Sequence, residues 1–355
     1  MQYVLFTHND LDGSGCDLIF QMAVNHLTEA VEWKSMICTN DNVDEKVLTS
    51  LDRGHITKQT NVYFADLVPS EEVLKRLIKE RIKVKIWDHH KTAFWVKKYI
   101  KDAIIIVENE NGVPECGASL MYQYFTKLSE IEPNNRLGFN FSLKHNSNEN
   151  LILLAELIDA IRSYDTFEYK VTKNMNARYA NTLFSLIGSK QFSKKYLKRF
   201  TTSEVNELFT ETEFEFIKAR ITTEIAAIER FSDYKMNLVN IGKYSAAVKF
   251  TGGDGIPLSE FAYEYLTKHP EIDIFVGINI TTGTYSFRTQ KDYIDVAEIA
   301  KTMHGGGHSK ASGCSIPNTI KNEAMNNSVK WINKRIKELK WKRVKKLLTI
   351  LAMSA

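Results

Sequence analysis

Metal-ligating side chains recur at four places in this 355-residue sequence. His8-Asn-Asp10-Leu-Asp12-Gly13 offers one imidazole and two carboxylates at alternate positions. Asp66 follows Val62-Tyr-Phe-Ala, Asp88-His89-His90 follows Val84-Lys-Ile-Trp, and Asp165 stands in Tyr164-Asp165-Thr166-Phe167. Alone, an Asp after a strand reads as a turn or helix cap, and a His pair in a loop as solvated. Together, five carboxylates and three imidazoles would repel one another unless cations were bound among them. Oxygen and nitrogen donors without thiolate suit Mn²⁺, or another hard to borderline divalent ion, better than structural zinc. The count suffices for two ions sharing one carboxylate.

These residues need a scaffold that gathers them. Tyr3-Val-Leu-Phe-Thr, Asn61-Val-Tyr-Phe-Ala, Val84-Lys-Ile-Trp and Ala103-Ile-Ile-Ile-Val read as short strands, and 14–27 and 70–80 between them as helices, the latter capped by Ser70. Strand–helix alternation predicts an α/β domain with a largely parallel sheet, whose ligands gather at the carboxyl ends of the strands. Each motif is expected just after a strand. In an extended segment His8, Asp10 and Asp12 would share a face, with Gly13 and Gly15 turning the chain into a helix.

Residues 129–150 read as a polar loop, 151–165 as a buried helix, and 172–231 as mostly helical. Strand-like runs resume at Lys235-Met-Asn-Leu-Val-Asn-Ile, Ser245-Ala-Ala-Val-Lys-Phe, Ile274-Phe-Val-Gly-Ile-Asn-Ile and Thr284-Tyr-Ser-Phe. The expected organisation is a metal-binding domain at 1–170, a helical connector at 171–235, a smaller α/β domain at 236–325 and a basic amphipathic helix at 326–355.

Composition is that of an ordinary globular protein, 43% hydrophobic and 25% charged, which excludes collagen-like or extensively disordered chains. No apolar run reaches the roughly 18–20 residues of a membrane helix, and no signal-peptide pattern is seen. The four cysteines are scattered and read as free thiols. A cytoplasmic protein without stable membrane insertion is expected. The net charge of +4 is uneven: residues 330–346 hold nine Lys/Arg against Glu338, leaving the remainder acidic. That segment has three readings: a terminal helix packing its apolar stripe, contact with nucleic acid, or docking on a membrane surface or partner helix.

The motifs resemble those of the DHH phosphoesterases, named for the triplet present here as Asp88-His89-His90. His8-Asn-Asp10-Leu-Asp12-Gly13 is similar to the family's first motif, Asp66 to its second and Asp165 to its fourth, with Asp159 as a competing candidate. Arg288 and His304-Gly305-Gly306-Gly307-His308 resemble the DHH-associated domain, in which an arginine and a Gly-Gly-Gly-His loop face the cleft. Arg288 would grip phosphate oxygens, Gly305, Gly306 and Gly307 would admit a phosphate to backbone amides, and His308 would add a donor.

The resemblance implies a two-metal phosphodiesterase. One ion would sit on His8, Asp10 and Asp66, the other on Asp12, Asp66, His89 and Asp165, with Mn²⁺ favoured over Mg²⁺ or Co²⁺. A hydroxide bridging the ions would attack phosphorus in line. His90 would contact the scissile phosphate or pass a proton, and Asp88 would orient a histidine. Asp66-Leu67, Cys116-Gly117-Ala118 and Tyr164-Asp165-Thr166-Phe167 look most like the Bacillus-type short-oligoribonuclease (nano-RNase) branch. The expected substrates are RNAs of about two to five nucleotides, with a second domain closing the cleft and so setting length. 3′-Phosphoadenosine 5′-phosphate is a further expected substrate. The alternatives are a linear or cyclic dinucleotide phosphodiesterase and a non-catalytic nucleic-acid binder. A homodimer is compatible with all three.

Overall fold

Alternation along the first strands decides the architecture of the N-terminal half. The computed structural model describes residues 2–25, 31–131, 148–201, 207–232, 236–251, 256–279 and 281–317, with positions 319, 320, 322, 323 and 327. The chain forms two compact units, Met1–Thr223 and Glu224–Ala355. Most of the basic C-terminal segment lies outside the described residues.

In the first unit the elements run β1 (Gln2–His8), α1 (Leu11–Asn25), β2 (Glu32–Cys38), α2 (Val43–Asp52), β3 (Thr60–Ala65), α3 (Glu71–Lys79) and β4 (Lys83–Asp88). A 3₁₀ helix (Lys91–Lys98), β5 (Ile104–Ile105) and the helices α4 (Gly117–Ile131), α5 (Asn148–Asp165), α6 (Tyr169–Thr172), α7 (Met175–Ile187) and α8 (Ser189–Thr201) follow. The five strands form a sheet of order β2-β1-β3-β4-β5, parallel throughout.

Successive residues face opposite sides. Tyr3, Leu5, Tyr63, Ala65 and Trp87 enter one core with α1, α4, α5, α7 and α8. Val4, Phe6, Val62, Phe64 and Ile86 enter another with α2, α3 and the 3₁₀ helix. The sheet is therefore doubly wound, and its order reverses between β1 and β3. In such sheets the binding crevice opens at the carboxyl ends of the strands flanking that switch point. His8 ends β1 and Asp66 follows β3, so two predicted ligands stand there.

Several expectations are revised. β2 was not anticipated, because this edge strand exposes Glu32, Trp33 and Lys34 and lacks an apolar run. Asp165 does not follow a strand: it is the last residue of α5. His8, Asp10 and Asp12 do not share one extended face, since β1 stops at His8 and Asp12 lies in the first turn of α1. Gly13 and Gly15 are helical and serve close approach rather than turning. A Cβ on Gly13 would fall 2.1 Å from the His8 carbonyl oxygen, and one on Gly15 2.8 Å from Ala118 Cβ. Ser70 caps α3 as expected, accepting from the Val73 amide at 3.4 Å. The four cysteines are unpaired and buried.

The helical stretch after Asp165 builds core. Ala180, Leu183, Phe192, Tyr196 and Phe200 join the α1 side of the sheet. α9 (Glu211–Ser232) begins beside them, and its Glu213 receives Arg199 at 2.8 and 2.9 Å, the Thr210 amide at 2.9 Å, and Lys195. Burial would raise the Glu213 carboxyl, but the bonds from Lys195 and Arg199 outweigh it and hold the group below the ordinary value. A depressed folded-state pKa contributes stability that is complete above the unfolded value, about 4.3, and is lost as pH falls through the folded one. Glu213→Gln is therefore expected to cost about 1–3 kcal/mol at neutral pH. In urea titrations the gap to wild type should close as pH falls through the folded-state value, which lies below the ordinary one; a pH-independent gap would contradict the assignment.

The second unit contains β6 (Asn237–Ile241), β7 (Tyr244–Thr251), α10 (Leu258–Lys268), β8 (Ile274–Asn279), β9 (Thr284–Arg288), α11 (Val296–Lys301), β10 (Gly306–Gly307) and β11 (Ala311–Ser315). Its sheet has the order β10-β11-β9-β8-β7-β6, antiparallel except between β7 and β8. Phe261, Tyr265 and Phe275 fill one face, and Ile274, Val276, Phe287 and Val296 the other.

Candidate metal centre

The carboxyl ends of β1, β3 and β4 and the C-terminus of α5 converge on one cluster. His8 Nδ1 lies 2.5 Å from Asp10 Oδ2 and 4.0 Å from Asp66 Oδ2. His89 Nε2 lies 3.3 Å from Asp66 Oδ1, 3.5 Å from Asp165 Oδ2 and 3.7 Å from Asp12 Oδ2. Two groups each have ligand atoms within 4.8 Å of one another, His8/Asp10/Asp66 and Asp12/Asp66/His89, and Asp66 belongs to both. The structure thus brings His8, Asp10, Asp12, Asp66, His89 and Asp165 together. It leaves Asp159 outside, exposed and paired with Arg162 at 2.7 Å.

Asp66 adopts φ 59, in the left-handed region, and its amide donates to the Trp87 carbonyl at 3.0 Å. That bend turns the side chain across the strand ends instead of along β3. Asp12 is fixed from the other side. The first amides of α4, on Gly117 and Ala118, donate to its two oxygens at 2.6 and 2.8 Å. A helix N-terminus carries unpaired N–H groups and favourable dipole charge, so it holds a carboxylate well. Sequence reasoning assigned no role to these amides; Cys116-Gly117-Ala118 carried only the resemblance. Asp88 receives both the ring Nδ1 and the backbone amide of His90, at 2.7 and 2.9 Å. The histidine that Asp88 orients is therefore His90.

The electrostatics fit divalent cations. Burial raises Asp12 to about 6, with Asp165 adding repulsion and His89 opposing it. Burial also lifts Asp66 well above the carboxylate range, reinforced by Asp10, Asp12, Asp165 and Asp88. Burial opposes charge on His8, yet its bond to Asp10 and the neighbouring carboxylates bring it up to about 9. Asp66 Oδ2 is buried without a hydrogen-bond partner among the described residues, an arrangement that leaves a carboxylate oxygen for a cation. Cys16 and Cys116 lie nearby, but burial and the negative charge of Asp12 keep both thiols protonated. The available donors are oxygen and imidazole nitrogen, the set for Mn²⁺ or Mg²⁺ rather than a thiolate metal.

The remaining predicted residues lie in the second unit. Arg288 closes β9, where Nη2 donates to Ser259 Oγ at 3.0 Å and Nη1 to the Phe287 carbonyl at 2.9 Å. The glycine segment is an edge strand and turn instead of an open loop. Gly306 and Gly307 pair with Gly313 and Ser312, and His308 and Ala311 exchange backbone bonds. Since Ala311 also pairs with Arg288, that arginine and His308 flank one row of the sheet. The Gly305 amide is engaged by the Ala300 carbonyl, and a Cβ there would meet the Gly313 oxygen at 2.1 Å. Only Gly306 of the three opens on unfilled space.

A doubly wound domain with overlapping His/Asp sets at its switch point, followed by an Arg and Gly-Gly-Gly-His unit, is similar to the DHH phosphoesterases. Residues 243–338 match the DHHA1 domain. The chain is 29% identical over 325 residues to oligoribonuclease NrnB of Bacillus subtilis, covering 90% of this chain and 74% of that protein. RecJ of Thermus thermophilus, solved with Mn²⁺, superimposes with a TM-score of 0.51 at 14% identity, covering 91% of this chain and 50% of RecJ. Among the described residues no helix is long and apolar enough to cross a membrane.

Proposed function

We propose that this protein is a two-metal phosphodiesterase that degrades very short oligoribonucleotides to mononucleotides in the cytoplasm. The observation that carries the reading is the pair of ligand sets sharing Asp66, at the switch point of a chain similar to an oligoribonuclease along most of its length. His8, Asp10 and Asp66 would hold one divalent ion, and Asp12, Asp66, His89 and Asp165 the second, with Mn²⁺ the best match to the donors. When bound, the ions supply an acidified water as nucleophile and offset charge developing on the phosphate oxygens.

The protein's own groups do the rest. Asp12 is held in place by the two α4 amides. Asp88 fixes His90 through Nδ1, and His90 would contact a phosphate oxygen or pass a proton to the leaving ribose oxygen. In the second unit, Arg288, His308 and the open backbone at Gly306 would grip a terminal phosphate of the substrate.

Turnover of a diribonucleotide, a 24-mer RNA, a cyclic dinucleotide and 3′-phosphoadenosine 5′-phosphate, with Mn²⁺, Mg²⁺, Co²⁺ or EDTA, tests this reading. The diribonucleotide should be cut only with a divalent ion and at least about tenfold faster than the 24-mer. Equal rates would overturn the length preference, and activity in EDTA the metal assignment. Saturating Mn²⁺ should also raise the melting temperature by about 5 °C or more, because the ion binds the folded cluster and not the unfolded chain.

A further inference from the structure

Of the four clustered carboxylates, Asp10 is the one that burial holds least. Its side chain is 44% exposed, against 18% for Asp165, 2% for Asp66 and 0% for Asp12. It stands in the two-residue link between β1, which ends at His8, and α1, which begins at Leu11. Both carboxylate oxygens have local partners. Oδ1 accepts from the Gly13 amide at 2.9 Å, as a helix cap, and Oδ2 meets His8 Nδ1 at 2.5 Å. Those partners belong to the same short stretch of chain, so they fix Asp10 within it and not against the body of the domain.

The anchor from outside is a seam of serines between α1 and α8. The Asp10 carbonyl accepts from the Ser14 amide at 3.1 Å and lies 2.7 Å from Ser14 Oγ. Ser14 Oγ lies in turn 2.6 Å from the Oγ of Ser189, the first residue of α8. A hydroxyl carries one proton and a carbonyl only accepts. One assignment satisfies both short distances: Ser189 donates to Ser14, and Ser14 donates to Asp10. Gly188, at φ 77, makes the turn out of α7 that sets Ser189 there. Ser193, one turn further along α8 and fully buried, reaches the Ser14 and Ser189 carbonyls at 3.2 Å each. The apolar contacts of Phe192 and Tyr196 around this seam have no direction, so its hydrogen bonds select the register of α8 on α1.

We propose that Ser189 is a positioning residue for the metal centre, acting through Ser14 on the peptide of Asp10 and so tying the first ligand loop to α8. The proposal rests on the two-metal reading above, in which Asp10 is a ligand. Without the Ser189 hydroxyl, Ser14 Oγ loses the donor that holds it between α8 and Asp10, and the exposed carboxylate loses its link to the helical layer. Groups that orient a metal ligand from behind change metal affinity or activity by about 10–100-fold when removed.

The test uses the full-length protein and two readouts, the Mn²⁺ concentration at the midpoint of the thermal shift and steady-state kinetics on a diribonucleotide. Ser189→Ala should raise the Mn²⁺ midpoint about tenfold and lower kcat about tenfold, with KM within about twofold of wild type. Ser189→Thr, which keeps the hydroxyl, should restore both. Ser14→Ala should match Ser189→Ala, and the double variant should be no worse than either, because each breaks the same relay. Ser193→Ala removes seam bonds that do not reach Asp10, so it should lower the melting temperature and leave the Mn²⁺ midpoint and kcat as they were. An unchanged midpoint in S189A, no rescue by S189T, additive losses in the double variant or an equal loss in S193A would overturn the proposal. Should wild type bind Mn²⁺ but cleave no diester, the substrate reading fails by itself and the midpoints still decide the role of Ser189. A wild type that binds no Mn²⁺ would overturn both.

Discussion

Asp66→Asn should lower kcat on a diribonucleotide by at least about a thousandfold, which corresponds to about 4 kcal/mol of transition-state stabilisation. The reason is its double membership. Asp66 lies within ligand distance of both His8/Asp10 and Asp12/His89, so one substitution removes a negative ligand from each set. The same change should raise the melting temperature of the metal-free protein. Without cations Asp66 is a buried acid among four other carboxylates, and its carboxyl is driven well above its ordinary range first by burial and then by those neighbours. A neutral amide of the same shape removes that repulsion. Activity lost, metal-free stability gained and the Mn²⁺-induced thermal shift abolished form the expected triple. Retention of the full thermal shift would count against a shared ligand.

Gly117→Ala carries the second largest effect, through backbone alone. Its added Cβ would fall 2.8 Å from Asp66 Cβ, 3.0 Å from Asp12 Oδ2 and 3.0 Å from the Asp66 amide. None of these atoms is the end of a flexible chain, so α4 must retreat from the cluster. Retreat would break the 2.6 and 2.8 Å bonds that orient Asp12. A displacement near 1 Å at a reacting site lowers the rate by about a hundredfold, and overpacking costs about 1–3 kcal/mol of stability. Kinetics on the dinucleotide and a denaturant titration measure the two effects. Wild-type kcat in G117A would show that α4 does not position Asp12.

The metal motifs were legible because their information is local. His8, Asp10 and Asp12 lie within five residues, Asp88 to His90 are contiguous, and the residue types leave few chemistries for such a gathering. β1 and β3 announced themselves through the apolar runs Tyr3-Val-Leu-Phe and Val62-Tyr-Phe-Ala, and the other expected strands through β-branched and aromatic residues. β2 did not, because an edge strand that exposes Glu32, Trp33 and Lys34 lacks the run that marks its neighbours. Asp165 was expected just after a strand, whereas a helix terminus brings it to His89.

By itself, then, the sequence determined the donor types and the parallel α/β scaffold, both properties of residue type and short-range pattern. Only the tertiary structure decided which histidine Asp88 orients and that α4 amides hold Asp12. It also decided that Phe167, two residues after Asp165, takes a left-handed backbone conformation. Those features reside in backbone groups and dihedral angles. Every residue carries the same amide, and a contact across a hundred positions of chain is made by packing, which no local pattern encodes.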